Sequence, residues 1–399
     1  MTPRPISNPL NRFLILFALA YAGGVALYGP FLSLLLPLRV TEIAGAARLG
    51  LLVTITMAGA VAASASNILF GWLSDRERQR RGDRRGWMTA GLVLTLVSYA
   101  GIAAATGPAT LLVAVVAYQL VLNALLAPLM ASMADTVPDE QKGLAGGLLA
   151  LAQPVAAVSG AVVLDLPVSP VARLAIIAVV PVILIVPLLL TRPPAIAAPV
   201  AAAPKPAKRR SRIDMTLIWT SRLLIQIACN VMFAFALFLL GGILHLPISD
   251  AFAARVGRIT AVALFAALPI SLLVGAVSDR LRLRKHMLLL TAVLAAASLL
   301  TVAAAGDGWI AMLGYAAFIG VATSFLGLHS AYTMQMLPSP RHHGRDLGLI
   351  NLANTIPALL GPLLTWGMAR TTSYGSVLAM LAALTLLAGL LILPTREDG

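Results

Sequence analysis

Long apolar runs constrain the fold of this 399-residue chain more than any other feature. A helix of about 20 apolar residues crosses the hydrocarbon core of a bilayer. The runs are rich in Leu and Ala and lack the period-2 alternation of barrel strands. The sequence therefore predicts an all-α integral membrane protein with twelve transmembrane helices. The twelve predicted spans cover 13–38, 48–70, 87–105, 109–133, 143–165, 171–190, 215–241, 252–275, 286–305, 309–334, 347–368 and 374–394.

The composition supports a lipid-facing protein and excludes several other classes. Hydrophobic residues make up 59% of the chain and charged residues only 11%, whereas a soluble domain carries roughly 25% charged residues. The lipid bilayer is therefore an expected partner. The net charge of +14 does not indicate nucleic acid, because the basic residues fall in short connectors between the runs.

The sequence also gives no sign of an enzyme. It has no metal-ligand cluster, no phosphate-binding loop, and no nucleophile with a base at usable spacing. The single cysteine, Cys229, lies inside an apolar run, so one chain forms no disulfide framework. We therefore expect no cofactor and no metal.

The distribution of Lys and Arg predicts the orientation. The two termini and the even-numbered connectors hold 22 of the 29 basic residues, and the opposite side holds six. The basic side of a membrane protein is the cytoplasmic side. We expect a multi-pass protein of the bacterial cytoplasmic (inner) membrane with both termini in the cytoplasm.

A polar phrase occurs twice at a separation of about half the chain. Gly71-Trp72-Leu73-Ser74-Asp75-Arg76 follows the second predicted span, and Gly275-Ala276-Val277-Ser278-Asp279-Arg280 follows the eighth. Gly160 and Gly361, near the ends of the fifth and eleventh spans, also correspond. Repeats with an even number of spans lie parallel in the membrane, as in many transporters.

The repeat predicts three regions. Residues 1–190 form an N-terminal six-helix bundle and residues 215–399 a C-terminal one. Residues 191–214 are rich in Pro and Ala and then basic, which is typical of a cytoplasmic linker.

These features together resemble the major facilitator superfamily over essentially the whole chain. The connector from Asp75 to Trp87 is similar to the Asp-Arg-x-Arg-x-Arg-x-Gly-x-Arg-Arg-x-Trp connector of glycoside–pentoside–hexuronide:cation symporters and related sugar carriers. The resemblance implies a secondary transporter that moves a small-molecule substrate, a small polar solute such as a sugar or glycoside, by alternating access. Two alternatives stay open: a proton-coupled efflux antiporter for amphipathic compounds, and a non-transporting assembly factor on the same fold.

The repeated phrase predicts a gate at the cytoplasmic ends of the helices. A carboxylate there can cap the N-terminus of a neighbouring helix and pair with an arginine, and such contacts can break when the transporter changes state. The alternative is that these charges are solvated topology markers, which is our reading of Arg78 to Arg85. The predicted gate residues are Gly71, Asp75, Arg76, Gly275, Asp279 and Arg280.

Polar side chains inside the spans are candidates for the substrate pathway, because they are costly in lipid. Arg222 is the sharpest case, with a gate or substrate role weighed against a structural ion pair. The amides and tyrosines suit a polyhydroxylated solute but also hydrogen-bond neighbouring helices. The candidates are Tyr21, Tyr28, Asn123, Gln153, Arg222, Gln226, Asn230, His329, Asn351 and Asn354.

One departure from the resembling carriers concerns the coupling ion. Those carriers often place acids in spans 2 and 4, and neither predicted span contains one here. Coupling to a proton or to sodium is therefore left open: it could run through His329, through an acid at a helix end, or be absent.

Overall fold

The structure, a computed structural model, describes residues 9–136, 148–191, 212–281, 283–336, 356–371 and 373–395. These residues are helical with short connections, and no strand occurs among them. The first span consists of Pro9–Pro30, a π-helical turn Phe31–Leu35, and Leu36–Ala44, followed by a short 3-10 turn, Gly45–Ala47. The second to twelfth spans are Arg48–Arg81, Arg85–Ala104, Pro108–Thr136, Ala152–Asp165, Pro170–Leu190, Arg212–Ile243, Asp250–Leu281, Arg284–Ala303, Gly308–Met336, Pro357–Thr371 and Tyr374–Leu390.

Each of the twelve predicted spans overlaps helix in the structure. Among the described residues, eight helical stretches are long and apolar enough to cross a membrane. The first of them, Arg12–Arg81, is 70 residues long and holds the first two predicted spans. The helices of the fifth and twelfth spans are apolar but shorter.

The second helix is longer than the sequence pattern predicts. It continues past residue 70 to Arg81, so the first copy of the repeated phrase lies in a helix and not in a connector. The helix ends at Gly82, whose φ of 83° is left-handed and whose N–H donates to the Arg78 carbonyl at 2.8 Å. The prediction used hydropathy, which falls at residue 71, whereas Leu, Glu, Gln and Arg all propagate a helix well.

The first span is irregular near its middle. Pro30 lacks a backbone N–H, and the π-helical turn begins directly after it. Two buried side chains, Tyr99 of the third span and Tyr118 of the fourth, donate to the Leu27 carbonyl, Tyr118 at 2.8 Å. The ring of Phe31 packs edge-on against both tyrosines, with centroids 5.5 and 5.1 Å apart. These contacts fix the irregular segment against its neighbours.

The chain forms two compact units. The first comprises Met1–Val200 with Ala253–Arg258, and the second comprises Ala201–Phe252 with Ile259–Gly399. Helix packing follows the same order within each unit. In the first, span 1 packs on spans 5 and 6, and span 3 packs on spans 4 and 6; in the second, span 7 packs on spans 11 and 12, and span 9 packs on spans 10 and 12.

The two corresponding glycines occupy equivalent places. A Cβ added to Gly160 would lie 2.7 Å from Cβ of Pro30 in the first span, and one added to Gly361 would lie 2.9 Å from Cγ2 of Val231 in the seventh. Both distances are shorter than a carbon–carbon contact allows. Close approach of backbones at small residues is a common way to pack helices in membranes, and here it recurs at the same place in each unit.

Candidate functional site

Asp75 and Arg84 form the centre of the first copy of the repeated phrase. Nη1 of Arg84 lies 2.6 Å from Oδ1 of Asp75 and donates to Oγ of Ser74 at 2.7 Å. The Arg84 side chain is only 6% exposed, whereas that of Asp75 is 58% exposed. A buried guanidinium depends on its carboxylate, because leaving a buried charge without its partner is costly. We classed Arg84 as a topology marker from sequence; the structure shows that it is buried and paired.

The helix-capping role that we expected for Asp75 falls instead to Glu77. Oε2 of Glu77 accepts the backbone N–H of Trp87, in the first turn of the third span, at 3.1 Å. A carboxylate at that position meets the positive end of the helix. Phe70 packs on the ring of Trp87, with centroids 5.2 Å apart. The signal available in the sequence was that a further acid, Glu77, lies between the second and third predicted spans. Hydropathy alone does not show which acid caps the third helix.

The remaining members of the first phrase make other contacts. Cζ of Arg76 lies 4.1 Å above the Trp72 ring, a cation–π geometry, so Arg76 does not share the Asp75 carboxylate in this structure. A Cβ added to Gly71 would meet no atom within 4 Å. Packing in this conformation therefore does not require a glycine at position 71.

The second copy is described only in part. Ser278 is fully buried, as is Ser74, and a Cβ on Gly275 would also meet no atom within 4 Å. Arg280 is exposed. The side chain of Asp279 lies outside the described residues, so its expected pairing stays a prediction.

A related contact recurs in both units. Arg85, the first residue of the third span, donates to the carbonyl of Thr191, the residue directly after the sixth span. Lys285, the second residue of the ninth span, donates to the carbonyl of Thr395, beyond the end of the twelfth. A cation at the C-terminal end of a helix is favourable. The repeat therefore extends to a cation–carbonyl contact that the sequence analysis did not identify.

In the first unit, three of the predicted pathway residues come together. Nε2 of Gln153 donates to Oη of Tyr28 at 3.5 Å, and Tyr21 and Tyr28 both pack against a cluster of small buried side chains from spans 1 and 5. Gln153 is exposed, and both tyrosines are half-buried. The group thus presents an amide and two phenols on an accessible face of this unit.

Asn123 belongs to a different contact. Its Oδ1 accepts from Nδ2 of Asn67 at 3.1 Å, and its own Nδ2 donates to the Gln119 carbonyl at 2.9 Å. Asn123 is buried and joins the second and fourth spans. Asn123 thus makes an interhelical hydrogen bond, which is the role that we considered for the amides as the alternative to lining the substrate pathway.

In the second unit, Arg222 lies about a third of the way along the seventh helix. Its Nη1 donates to Oγ of Ser330 in the tenth span at 3.0 Å, and Ser330 in turn donates to the Leu326 carbonyl at 2.8 Å. An arginine at membrane depth costs about 2.5–3.5 kcal/mol on insertion scales. Such a residue indicates a functional role or a paired charge.

His329 holds the tenth helix against the seventh beside this contact. Its Nε2 lies 3.1 Å from the Ile218 carbonyl, which can only accept, so Nε2 carries the hydrogen. Its Nδ1 lies 3.2 Å from Oγ1 of Thr333. The ring is fully buried and stacks on Phe325 with centroids 5.7 Å apart. Both ring nitrogens are thus engaged in contacts between or along helices.

Gln226 and Asn230 continue the line that Arg222 begins. Spacings of four residues place all three on one side of the helix. Each is half-buried, and Nδ2 of Asn230 donates to the Gln226 carbonyl at 3.0 Å. We call Arg222, Gln226 and Asn230 the polar stripe. The other two candidates, Asn351 and Asn354, lie outside the described residues.

Within the described ranges, no group of three His, Cys, Asp or Glu side chains could hold a metal ion. The described candidate residues carry amides, phenols, hydroxyls, an imidazole and charged groups, which can form hydrogen bonds and ion pairs.

Solved transporters have a similar fold. A bacterial homologue of the human lysosomal transporter Spinster, solved inward-facing in unoccupied and occupied forms, gives a TM-score of 0.68 at 13% identity over 97% of this chain and 95% of that one. A mutant of the nucleoside transporter NupG gives 0.64 at 14% identity, covering 95% of this chain and 98% of that one. At these identities the likeness shows the fold alone. No curated protein matches the sequence.

The family assignment comes from the sequence. The family model described as Major Facilitator Superfamily matches residues 13–254 and 227–399, which together cover nearly the whole chain. The all-α fold of twelve spans in two six-helix bundles, expected from the apolar runs and the repeat, is confirmed by this match and by the solved structures. The chain belongs to the Major Facilitator Superfamily.

Proposed function

We propose that this protein is a secondary transporter that moves a small polar solute, of the size of a sugar or glycoside, by alternating access. We place it in the bacterial cytoplasmic membrane with both termini in the cytoplasm, from the distribution of its basic residues. Family membership supports transport in general. The solute class rests on the side chains described above and on the Arg-rich connector, which resembles that of sugar carriers.

The polar stripe carries the proposal. An all-apolar interior would suit lipid-like cargo, whereas the seventh span presents a cation and two amides on one half-buried side. Amides both donate and accept hydrogen bonds, so they match hydroxyl groups of either orientation. The Tyr28–Gln153 pair of the first unit offers the same chemistry.

We assign the gate of the first unit to Ser74, Asp75 and Arg84. These residues tie the end of the second helix to the start of the third through one buried guanidinium. A buried guanidinium is costly to leave without its carboxylate, which is the property required of a contact that distinguishes two states. Asp279 and its neighbours are the proposed counterpart in the second half.

We assign His329 to helix packing rather than to proton transfer, because the ring is fully buried with both nitrogens engaged. The proposal therefore names no ion-binding residue. The experiment below tests whether transport is coupled to an ion, because it compares uptake with no gradient, with a proton gradient and with a sodium gradient.

Uptake into proteoliposomes tests the function. We would measure time courses for labelled sugars, polyols, sugar acids and sugar phosphates, each with no gradient, with a proton gradient and with a sodium gradient. We expect saturable uptake of at least one polar solute, competed by its unlabelled form. Saturable movement of amphipathic dyes alone would replace the proposal with an efflux function, and no saturable movement of either class would contradict transport.

A further inference from the structure

A groove lies between the end of the second helix and the start of the third. Its volume is about 470 Å³, and sites for small ligands usually measure about 300–1,000 Å³. Three guanidinium groups and one carboxylate line the groove, those of Arg76, Arg80, Arg81 and Glu77. The lining therefore has an excess of positive charge, which favours a negatively charged ligand.

The two ends of this groove differ in polarity. Leu73 and Arg80 both line it and are seven residues apart on one face of the second helix, about 10 Å at 1.5 Å per residue. The apolar part of this helix ends near residue 70, so Leu73 lies nearer the hydrocarbon and Arg80 farther from it. Trp87 and Ala90 of the third helix complete the apolar end. The groove thus has an apolar inner end and a basic outer end.

The surface beside the groove has the character of a lipid-facing surface. Ile68, Leu69 and Trp72 are large apolar side chains exposed on the last apolar turns of the second helix. Tryptophan is enriched where the hydrocarbon meets the headgroups, and the guanidinium of Arg76 lies 4.1 Å above the Trp72 ring. These side chains place the groove at the level of the lipid headgroups.

The two arginines at the outer end can bind a phosphate group. Arg80 is exposed, and Nη1 of Arg81 lies 3.7 Å from Oε1 of Glu77 in a pair whose arginine is 76% exposed. Such an exposed pair is weak, and the other oxygen of Glu77 accepts the backbone N–H of Trp87. Guanidinium groups bind phosphate oxygens through paired, charge-assisted hydrogen bonds. Arg80 and Arg81 thus offer two adjacent ligands for one phosphate.

We infer that this groove binds the headgroup of an anionic phospholipid, with its phosphate against Arg80 and Arg81 and its glycerol and upper acyl chain along Leu73 and Trp87. The apolar inner end favours a lipid, because a soluble phosphate compound would leave that end uncovered. The proposed orientation places the groove in the cytoplasmic leaflet, where anionic lipids are attracted to basic pockets between helices. Lipid binding goes beyond the proposed transport function and gives these two arginines a role besides setting topology.

Native mass spectrometry of the full-length protein, released from detergent, tests lipid binding. We would titrate the protein with dioleoyl phosphatidylglycerol and, separately, with dioleoyl phosphatidylcholine, which has the same acyl chains but no net charge. We expect the first phosphatidylglycerol to bind with a Kd at least about tenfold lower than the first phosphatidylcholine, because only the former has a net negative charge. Equal dissociation constants for the two lipids would overturn the inference.

Matched double variants show whether the groove is the binding site. Replacing Arg80 and Arg81 together by Gln should raise the Kd for phosphatidylglycerol about 30-fold, about fivefold for each basic side chain near an anionic headgroup, and leave phosphatidylcholine unaffected. Replacing both by Lys should retain part of the affinity. Arg12→Gln with Arg78→Gln removes the same charge from exposed positions outside the groove and should change the Kd less than about twofold. Equal losses in the two double Gln variants would contradict a site at the groove.

Soluble phosphates distinguish a lipid site from a site for free anions. We expect neither inorganic phosphate nor glycerol 3-phosphate to displace phosphatidylglycerol at equal concentration, because neither covers the apolar end of the groove. Displacement by either compound would replace the lipid with a soluble phosphate as the ligand.

Single variants keep the test decisive if the double Gln variant does not fold, as judged by its size-exclusion profile. Arg80→Gln and Arg81→Gln should each raise the Kd for phosphatidylglycerol about fivefold. An unchanged Kd in both single variants would contradict the inference. None of these measurements uses a transported solute, so failure to bind lipid would leave the proposed transport function unaffected.

Discussion

At the scale of single residues, burial decides which of the many arginines matter for the gate. Arg84 and Arg80 lie four residues apart and have the same chemistry, yet Arg84 is buried against Asp75 while Arg80 is exposed. Exposed ion pairs contribute about 0–1 kcal/mol and are screened by salt. Removing the carboxylate that pairs with a buried guanidinium destabilises the folded protein by several times that amount.

Neutralising either member of the Asp75–Arg84 pair should therefore impair transport. We expect Asp75→Ala and Arg84→Gln to lower the uptake rate about tenfold, equivalent to about 1.4 kcal/mol, at equal abundance in the membrane. Uptake in proteoliposomes at matched protein content measures this effect. Arg80→Gln is the control and should be close to the unaltered protein; an unchanged rate in Asp75→Ala would contradict the gate assignment.

Glu77 should contribute to stability more than to transport. Its carboxylate accepts the Trp87 N–H at the start of the third helix and is only 11% exposed. We expect Glu77→Ala to destabilise the protein by about 1 kcal/mol, the typical effect of losing a cap. The thermal midpoint in detergent checks this, with Gln79→Ala as an exposed neighbour on the same helix. Equal midpoints for the two variants would show that the cap is dispensable.

At the scale of helices, small residues determine how closely the spans pack. A Cβ on Gly91 in the third span would overlap backbone atoms of Ala124 and Leu125 in the fourth. Backbone atoms cannot turn aside as a side chain can, so the two helices would have to separate. Gly101, ten residues further along the third span, has no atom within 4 Å of its added Cβ.

This pair of glycines provides a matched test. We expect Gly91→Ala to destabilise the protein by about 1–3 kcal/mol, the usual cost of overpacking. Gly101→Ala should be neutral or slightly stabilising, because alanine favours the helix by roughly 0.5–1 kcal/mol. Thermal midpoints and the yield of monodisperse protein measure both. A smaller effect for Gly91→Ala than for Gly101→Ala would contradict the packing.

Helices were predictable in number but less so in extent. Hydropathy located all twelve spans, because lipid requires long apolar segments. It missed the last three turns of the second helix, 71–81, because these residues are polar but still propagate a helix. It also missed the π-helical turn after Pro30, which two buried tyrosines from other spans hold in place.

At the scale of the whole molecule, the repeat organises both sequence and packing. The two halves share the Ser-Asp-Arg phrase, the close-packed glycines 160 and 361, and a cation at the start of the third span of each half that contacts the carbonyl of a threonine following the sixth. One helix departs from a division at the linker. Ala253–Arg258 of the eighth span belongs to the first unit, where Arg258 pairs with Asp165.

Orientation is a property of the whole chain and can be tested with fusions. Both termini should be cytoplasmic, because 22 of the 29 basic residues lie on that side. We expect green fluorescent protein fused after residue 399 to fluoresce and alkaline phosphatase at the same position to be inactive. Phosphatase inserted at Gly107, between the third and fourth spans, should be active. The reverse pattern would invert the gate assignment as well.

The sequence by itself determined the fold class, the twelve spans, the repeat and the family, because these depend on local hydropathy and on residues that can be compared along the chain. Only the tertiary structure decided which charges and amides act together. Arg84 pairs with Asp75, Glu77 caps the third helix, and Ser330 and His329 fix the segment around Arg222. The physical reason is that burial and partnership depend on packing between helices, and residues 108 positions apart, such as Arg222 and Ser330, carry no local signal that they meet.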